Sequence, residues 1–597
     1  MNDHVFPDHP DPSWARRSWT SLDGTWRIRM GRKESDIRVP FPVGSPASGV
    51  DFPDSGRFVY SRRFEWPSLD PDRRYELHVG ACDYEAEVFL NGRRLGSHRG
   101  GYSSFSFDVT GVLAAGDNRI EIRVRDSHRA TQARGKQTFR KSAWYVWYDG
   151  IAGIWQPVWI EESGKCRVAS AAVRPDFPGR RVELAAKVSG LDGKPDPSFS
   201  LEAEIVAPSG RRYSFGFEPA EPAGATGADG ADLSFRLCLP FEAIEARGWT
   251  PDDPALYAIR YRLRQGGLVR DEVESYFGLR SIEASEGGLR LNGKPLFLKM
   301  ALVQGYYPGG VYTPESPSVV TGDIDALKRM GFNGARVHEK IESPYFQFLC
   351  DRMGLLTTQE MPSFYLPSRK GFKAFESELR EVIDRDAAHP SCIARILFNE
   401  TWGIWGVYRP ASRTRRFVSG MIRLAREADP SRLVIDNSGW EHLDTDVVDF
   451  HHYLGTAALA RETYARLAAR DEESLHGFSL RKVLDFYLNE RVATATRALF
   501  LERAADRPGL PWFLSEYGGF GWYSTAEPGE VIDKIAAYTR DIVDSGLFCG
   551  YCITQLYDVG SEVNGLLGFD RKPKVEVGRM KEINSCRPAG APGPEGG

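Results

Sequence analysis

ARILFNE (394–400) and WFLSEYG (512–518) are short apolar runs, the first ending on Glu400 and the second carrying Glu516 near its end, each with glycine close behind. A carboxylate at the end of a buried strand is costly to desolvate unless it does chemistry. Six further runs have the same texture: PLFLKMA (295–301), FNGARVH (332–338), GLLTTQEM (354–361), LVIDNS (433–438), VVDFHHY (447–453) and GYCITQL (550–556). Most are followed by a segment of helical periodicity. In one, Phe372, Phe375, Leu379, Val382 and Ile383 share a face; in another, Val531, Ile532, Ile535, Tyr538 and Ile542 do. Eight strands with interleaved helices over about 300 residues predict a (β/α)8 TIM barrel, whose active site lies at the strand C-terminal ends.

Upstream the texture is all strand. RFVYSRRFEW, RYELHVGA, EAEVFL, RIEIRVRDS and QPVWIEE alternate with period two between residues 20 and 165, and Asn91-Gly92 marks a tight hairpin. RVELAAKV, LEAEIV, LSFRLCL and YAIRYRLR continue the pattern to about 280, at a length that suits an immunoglobulin-like sandwich. The expected multidomain plan is a β-sandwich at 1–165, an immunoglobulin-like β-sandwich at 166–280, and the barrel at 281–586. Nearly sixty residues separate Tyr453 from Trp512, so a helical insertion at about 455–510 is expected on the catalytic face, as a lid or a subunit contact. The final 587–597, rich in Pro and Gly, read as a disordered tail.

The 597 residues are 42% hydrophobic and carry a net charge of −4. With no basic stripe to neutralise phosphates, nucleic acid is not the expected partner. No basic region followed by an apolar core opens the chain, and no apolar run reaches about 18 residues, so neither membrane insertion nor secretion is expected and the chain reads as cytoplasmic. A leader removed from the start would change that reading. Eight cysteines are too sparse for a disulfide framework. Cys549 and Cys552 sit in the apolar eighth run, which favours core packing over metal or redox work. No metal-ligand spacing stands out, and no cofactor is called for.

Strands four and seven lie on opposite sides of a barrel mouth, where two carboxylates can face each other across a sugar, the requirement of glycoside hydrolysis. Asn399-Glu400 closes a strand; the second Asn-Glu pair, Asn489-Glu490, falls in a helical pattern where a solvated face explains it. The competing reading for Glu516 is a structural salt bridge with a barrel arginine such as Arg336. Gln304, Arg336, His338, Glu360, Trp402, Trp440, His452 and Tyr557 also lie at or just past strand ends and become candidate substrate contacts. For the aromatic residues the alternative is rim packing, and for His452 a hydrogen-bonded core position.

These motifs carry a resemblance. SLDGTW (21–26), EVFLNGRRLGSHRGGYSSFSFDVT (87–110), GIAGIWQPVWIE (150–161), FGLRSIEASEGGLRLNGKPLFLK (277–299), DIDALKRMGFNGARVH (323–338), LCDRMGLLTTQEMPS (349–363), HPSCIARILFNETWG (389–403), FLSEYGG (513–519) and NGLLGFDRKPK (564–574) make the chain resemble glycoside hydrolase family 2, the β-galactosidases, β-glucuronidases and β-mannosidases. The resemblance implies a sugar-binding jelly roll, an immunoglobulin-like sandwich and a catalytic barrel. It implies Glu400 as acid/base with a raised pKa, Glu516 as nucleophile, Asn399 against the sugar 2-hydroxyl, Tyr453 against the nucleophile and Arg336 as the second-strand arginine. Homo-oligomerisation follows by analogy alone. Family glucuronidases hold the sugar carboxylate with Asn-x-Lys, whereas this chain has Asn564-Gly565-Leu566, which disfavours glucuronate. RVHEK also departs from the usual Arg-x-Ser-His, and Tyr551 and Tyr557 stand where tryptophan is more usual. The expectation is a retaining exo-acting β-glycosidase, foremost a β-galactosidase. The rivals are a β-glucuronidase, an arabinosidase, and a non-catalytic carbohydrate-binding protein.

Overall fold

The computed structural model describes residues 8–51, 56–140, 142–191, 198–220, 231–286, 288–453, 457–470, 475, 500–501, 507–519 and 528–586. The expected tail, Asn489-Glu490 and most of the expected insertion lie outside them. Within the insertion, Ala457–Ala468 is a helix.

Between Trp19 and Gly164 a six-stranded and a four-stranded antiparallel sheet enclose Trp26, Ile28, Phe58, Tyr60, Val79, Ile122 and Ile160. Alternation produces this packing, because every second residue of each strand points inward. Asn91-Gly92 turns Glu85–Leu90 back on Arg93–Arg99, with φ of 51° and 80°, the pair of positive values that a two-residue hairpin needs. Between Arg167 and Gly278 two four-stranded sheets enclose Leu184, Leu201, Ile205, Tyr257, Ile259 and Val273.

The eight apolar runs form eight parallel strands: β1 (Leu298–Val303), β2 (Gly334–Val337), β3 (Leu356–Glu360), β4 (Cys392–Ile396), β5 (Leu433–Ile435), β6 (Val448–His452), β7 (Trp512–Gly518) and β8 (Phe548–Thr554). Their order is β5-β4-β3-β2-β1-β8-β7-β6, so the barrel is one strand pairing short of closure. No ladder joins β5 to β6. Asp446 N donates to Val434 O and His451 N to Gly439 O, and side chains seal the rest: Ser438 Oγ and Gly439 N both donate to Asp449, and His442 bridges Asp436 Oδ1 at 2.7 Å and Asp449 O at 2.8 Å. A three-stranded sheet, Ile282–Ser285, Gly288–Leu291 and Lys294–Leu296, packs Ile282, Leu289 and Leu291 among the residues that fill the barrel interior.

Helices cover the outside. Phe372, Phe375, Leu379, Val382 and Ile383 of Arg369–Arg385 are all buried, and Phe372 stacks on Phe417 at 4.0 Å. Cys549 and Cys552 are buried free thiols of β8, and burial pushes the Cys549 thiol up to about 12. No helix among the described residues is long and apolar enough to cross a membrane.

Candidate active site

β7 delivers Glu516 and the turn after β4 delivers Glu400. One oxygen of each, together with a ring nitrogen of His451 from β6, lies within 4.8 Å of the others. His451 is the bridge: its Nδ1 is 2.7 Å from Glu400 Oε1 and its Nε2 is 3.3 Å from Glu516 Oε1. Arg336 of β2 is fully buried and donates to Glu516 Oε1 at 2.8 Å, Glu360 Oε2 at 3.0 Å, Asn399 Oδ1 at 3.0 Å and the Ser515 carbonyl at 3.1 Å. The Tyr453 hydroxyl donates to Glu516 Oε2, and Trp402 Nε1 donates to Glu400 Oε2 at 3.1 Å. The salt bridge to Arg336 therefore exists, and it fixes Glu516 beside the second carboxylate.

The backbone that presents Glu400 is strained. Glu400 and Thr401 have φ of 48° and 59°, a left-handed stretch uncommon outside glycine. Glu400 N donates to Ser438 O, Thr401 N to Asn437 Oδ1 and Trp402 N to Asn399 O, which hold it there. Gly403 completes the turn at φ 70°, where a Cβ would lie 1.7 Å from the Phe364 carbonyl.

Electrostatics divide the cluster. Burial works to raise Glu400, but the hydrogen bond and charge of His451 outweigh it and hold the carboxyl at about 2. Against the same burial penalty, His451 and Arg336 hold Glu516 below its ordinary value. Burial opposes the charge on His451, yet the flanking Glu516 and Glu400 raise its pKa. The raised acid expected at Glu400 is thus not what the free protein holds: its carboxyl is lowered and the His451 imidazole beside it is raised, which favours charge on both. Burial lifts Glu360 to about 7 despite Arg336, and burial beside Arg336 keeps His338, 3.2 Å from Glu360 Oε1, well below its usual value. Glu400, His451 and Glu516 are also the one group among the described residues spaced to hold a metal ion. Bonds to one another, Arg336, Tyr453 and Trp402 already engage those carboxylates and the imidazole.

Of the expected residues, Glu400, Glu516, Asn399, Arg336, His338, Glu360, Tyr453 and Trp402 converge here. Trp440 lies 5.9 Å from Trp402, ring to ring, in the wall beside Glu400. Gln304 is buried just past β1 with its side-chain carbonyl unpartnered. Tyr557 sits under the Arg571 guanidinium at 3.6 Å and accepts from Gly305 N, a packing position apart from the carboxylates. His452 takes its alternative, a hydrogen-bonded core position, and not the substrate contact: it turns outward to Tyr464 at 2.9 Å, and burial lowers its pKa to about 3. Strand parity decides this, because Asp449, His451 and Tyr453 share the inward face, and a β-bulge at Phe450/His451 adjusts the register to β7. Period two counted back from Tyr453 would have found His451.

Sequence reasoning also missed a contribution from the first sandwich. After the strand Gly116–Arg125 the chain crosses to the barrel mouth, where Arg134 N and Gly135 N donate to Ser363 O and Tyr365 donates to Gly135 O at 2.6 Å. Gly135, φ 56°, fits so closely that a Cβ would lie 2.0 Å from the Glu339 carbonyl. This brings Lys136 near His338, Glu339, Glu400 and Glu562, all of which feel its charge. Burial raises Glu339 to about 7 and also raises Glu562, and each keeps one buried oxygen without a hydrogen-bond partner.

Two family models match: the galactose-binding-like domain of glycosyl hydrolase 2 over residues 44–155, and glycosyl hydrolases family 2 over 166–280. The chain is 24% identical over 415 residues to a β-galactosidase of Thermoanaerobacter pseudethanolicus, covering 67% of this chain and 51% of that protein. It is 23% identical over 452 residues to a β-glucuronidase of Streptococcus agalactiae, covering 70% and 71%. The chain spans between 39% and 51% of the length of the first three curated relatives it matches. In fold it is similar to the β-galacturonidase of Eisenbergiella tayi bound to galacturonate (TM-score 0.72, 20% identity, 96% and 98% covered). The β-glucuronidase of Bifidobacterium dentium complexed with coumarin-3-O-glucuronide is matched with the same TM-score, identity and coverage. The two matched domain models, the barrel and these relatives agree on glycoside hydrolase family 2 as the family this chain resembles.

Proposed function

We propose that this protein is a retaining exo-β-glycosidase that removes a terminal β-linked sugar, with Glu516 as nucleophile and Glu400 as acid/base. The observation that carries the reading is the approach of their oxygens to within 4.8 Å. Retaining enzymes need about 5–5.5 Å between carboxyls, and inverting enzymes about 6.5–9.5 Å to admit a water. Glu516, ionised and positioned by Arg336 and Tyr453, attacks the anomeric carbon. The proton on His451 passes along the 2.7 Å bond to Glu400 and on to the leaving oxygen. In the second half Glu400 takes a proton from water as the glycosyl–Glu516 bond breaks, and His451 recovers its charge. The segment from the first sandwich, sealed against Ser363 and Glu339, closes one side of the cleft, which suits removal of a terminal residue.

The galactoside reading rests on relatives named β-galactosidase. One observation favours a uronide as second reading: the ammonium of Lys136, 5.5 Å from the Tyr148 ring, has no carboxylate within ion-pair distance among the described residues. It therefore offers a counter-charge from the first sandwich where Asn564-Gly565-Leu566 offers none. Relatives named β-glucuronidase and β-galacturonidase agree with it. A panel of nitrophenyl β-galactoside, glucuronide, galacturonide and arabinoside decides the glycone, and NMR of the first-formed sugar decides the stereochemistry. A β product supports the mechanism; an α product, or no turnover on any glycoside, rejects it.

A further inference from the structure

Four of the seven exposed large apolar residues among those described belong to segments that meet at the barrel mouth: Trp144 and Tyr145, 42% and 52% exposed, Leu366 at 58% and Val563 at 50%. Tyr145 lies at the tip of a tight turn in the first-sandwich segment whose ends, Trp144 and Trp147, exchange both backbone hydrogen bonds. Ser561, two residues from Val563, donates to the Tyr145 carbonyl, and Tyr365, next to Leu366, packs edge-on against Trp147 and Trp402. The rings make a continuous track. Trp402, bonded to Glu400, meets Trp147 at 5.9 Å; Trp147 stacks flat on Trp144 at 5.1 Å; Trp144 meets Tyr145 at 6.3 Å. One face of Trp144 is covered by Trp147 and the Arg140 guanidinium lies 3.7 Å over its ring, so the turn is braced while its edge stays open.

Exposed apolar groups gathered at one rim mark a binding surface, and this one starts at the proposed proton donor. Resting on that assignment of Glu400, we propose that Trp144, Tyr145, Leu366 and Val563 form an aglycone subsite for leaving groups with a flat apolar body, such as an aryl alcohol. The leaving oxygen must lie against Glu400, so whatever it is attached to extends past Trp402 onto this track. A second sugar would need several hydrogen-bonding partners, and the side chains of these four residues offer one hydroxyl and one indole N–H. Edge contacts with an aromatic ring suit them.

The test compares the 2-naphthyl, methyl and disaccharide β-glycosides of whichever sugar is cleaved, in wild type, Tyr145→Ala, Tyr145→Phe and Trp144→Ala. A rise in KM of about 3- to 10-fold for the naphthyl glycoside with Tyr145→Ala, little change for the methyl glycoside and recovery with Tyr145→Phe is the expected result. Equal effects on all three glycosides, none on any, or a loss confined to the disaccharide would overturn the proposal. Saturation-transfer NMR with free 2-naphthol provides a readout without turnover. Transfer to the naphthol protons in wild type and its loss in a folded Trp144→Ala/Tyr145→Ala variant is expected, and equal transfer in both overturns the subsite. If no glycoside is cleaved, the hydrolase assignment fails while this measurement still decides the surface.

Discussion

Arginine and glutamate build one network on the immunoglobulin-like sandwich and another inside the barrel. On the sandwich, Arg260, Arg262 and Arg264 alternate along one strand opposite Glu202, Glu204, Glu272 and Glu274, at separations of 2.8–3.6 Å. Arg262 and Glu272 keep 24% and 28% of their side chains in solvent. Inside the barrel, Arg336 meets Glu360 and Glu516 at the same separations with 0%, 0% and 7% exposed. Water stands in for a lost partner on the sandwich and cannot in the barrel. The first network decorates a sheet, whereas the second confines charge in a water-poor interior.

Removing the proposed nucleophile should separate the two networks most widely. Glu516→Gln is expected to lower kcat/KM by at least about 10⁴-fold without unfolding the protein. Glu400→Gln should cost about 10²–10⁴-fold on poor leaving groups and far less on nitrophenyl glycosides, which need little protonation. Initial rates and circular dichroism on both variants check this, and a folded, fully active Glu516→Gln would refute the assignment.

Next in size is Arg336→Met, which strands Glu360 without its arginine and leaves Glu516 with His451 alone as counter-charge. It should destabilise the barrel by about 3–5 kcal/mol, read as a lowered urea midpoint. A third test uses pH. Asp436 raises His442 to about 9, although burial opposes the charge, whereas the unfolded value is 6.5. The folded pKa is the higher one, so this contribution is complete below about pH 6.5 and is lost as pH climbs through 9. It amounts to at most about 3 kcal/mol. Urea midpoints between pH 6 and 10 should fall over that window in wild type and stay flatter in His442→Gln. The smallest effect belongs to the sandwich: Arg262→Gln should cost below about 1 kcal/mol and less still in 1 M salt. A loss comparable to that of Arg336→Met would erase the distinction.

The barrel was legible because its strands are buried on both faces and read as unbroken apolar runs, and the carboxylates because they interrupt such runs at their ends. The sandwiches were legible through alternation and Asn91-Gly92. His451 was passed over for His452 because both close the same run, and only the inward parity shared with Tyr453 separates them. Lys136 and the Trp144–Tyr145 turn left no local signal: they reach the mouth through a crossing from another domain, closed by contacts hundreds of residues apart in sequence. The strained turn at Glu400 was equally silent, since its φ is held by Asn437 and Ser438, just past the end of β5.

The unpaired seam between β5 and β6 has a mechanical consequence. Glu400 is hydrogen-bonded to the β5 side through Ser438, while Glu516 is registered to β6 at His451. The seam between the two carboxylates is therefore held by two backbone bonds and by side-chain clasps at Asp449, His442 and His451, and a change at Asp449 would alter the reach of Glu400 toward Glu516.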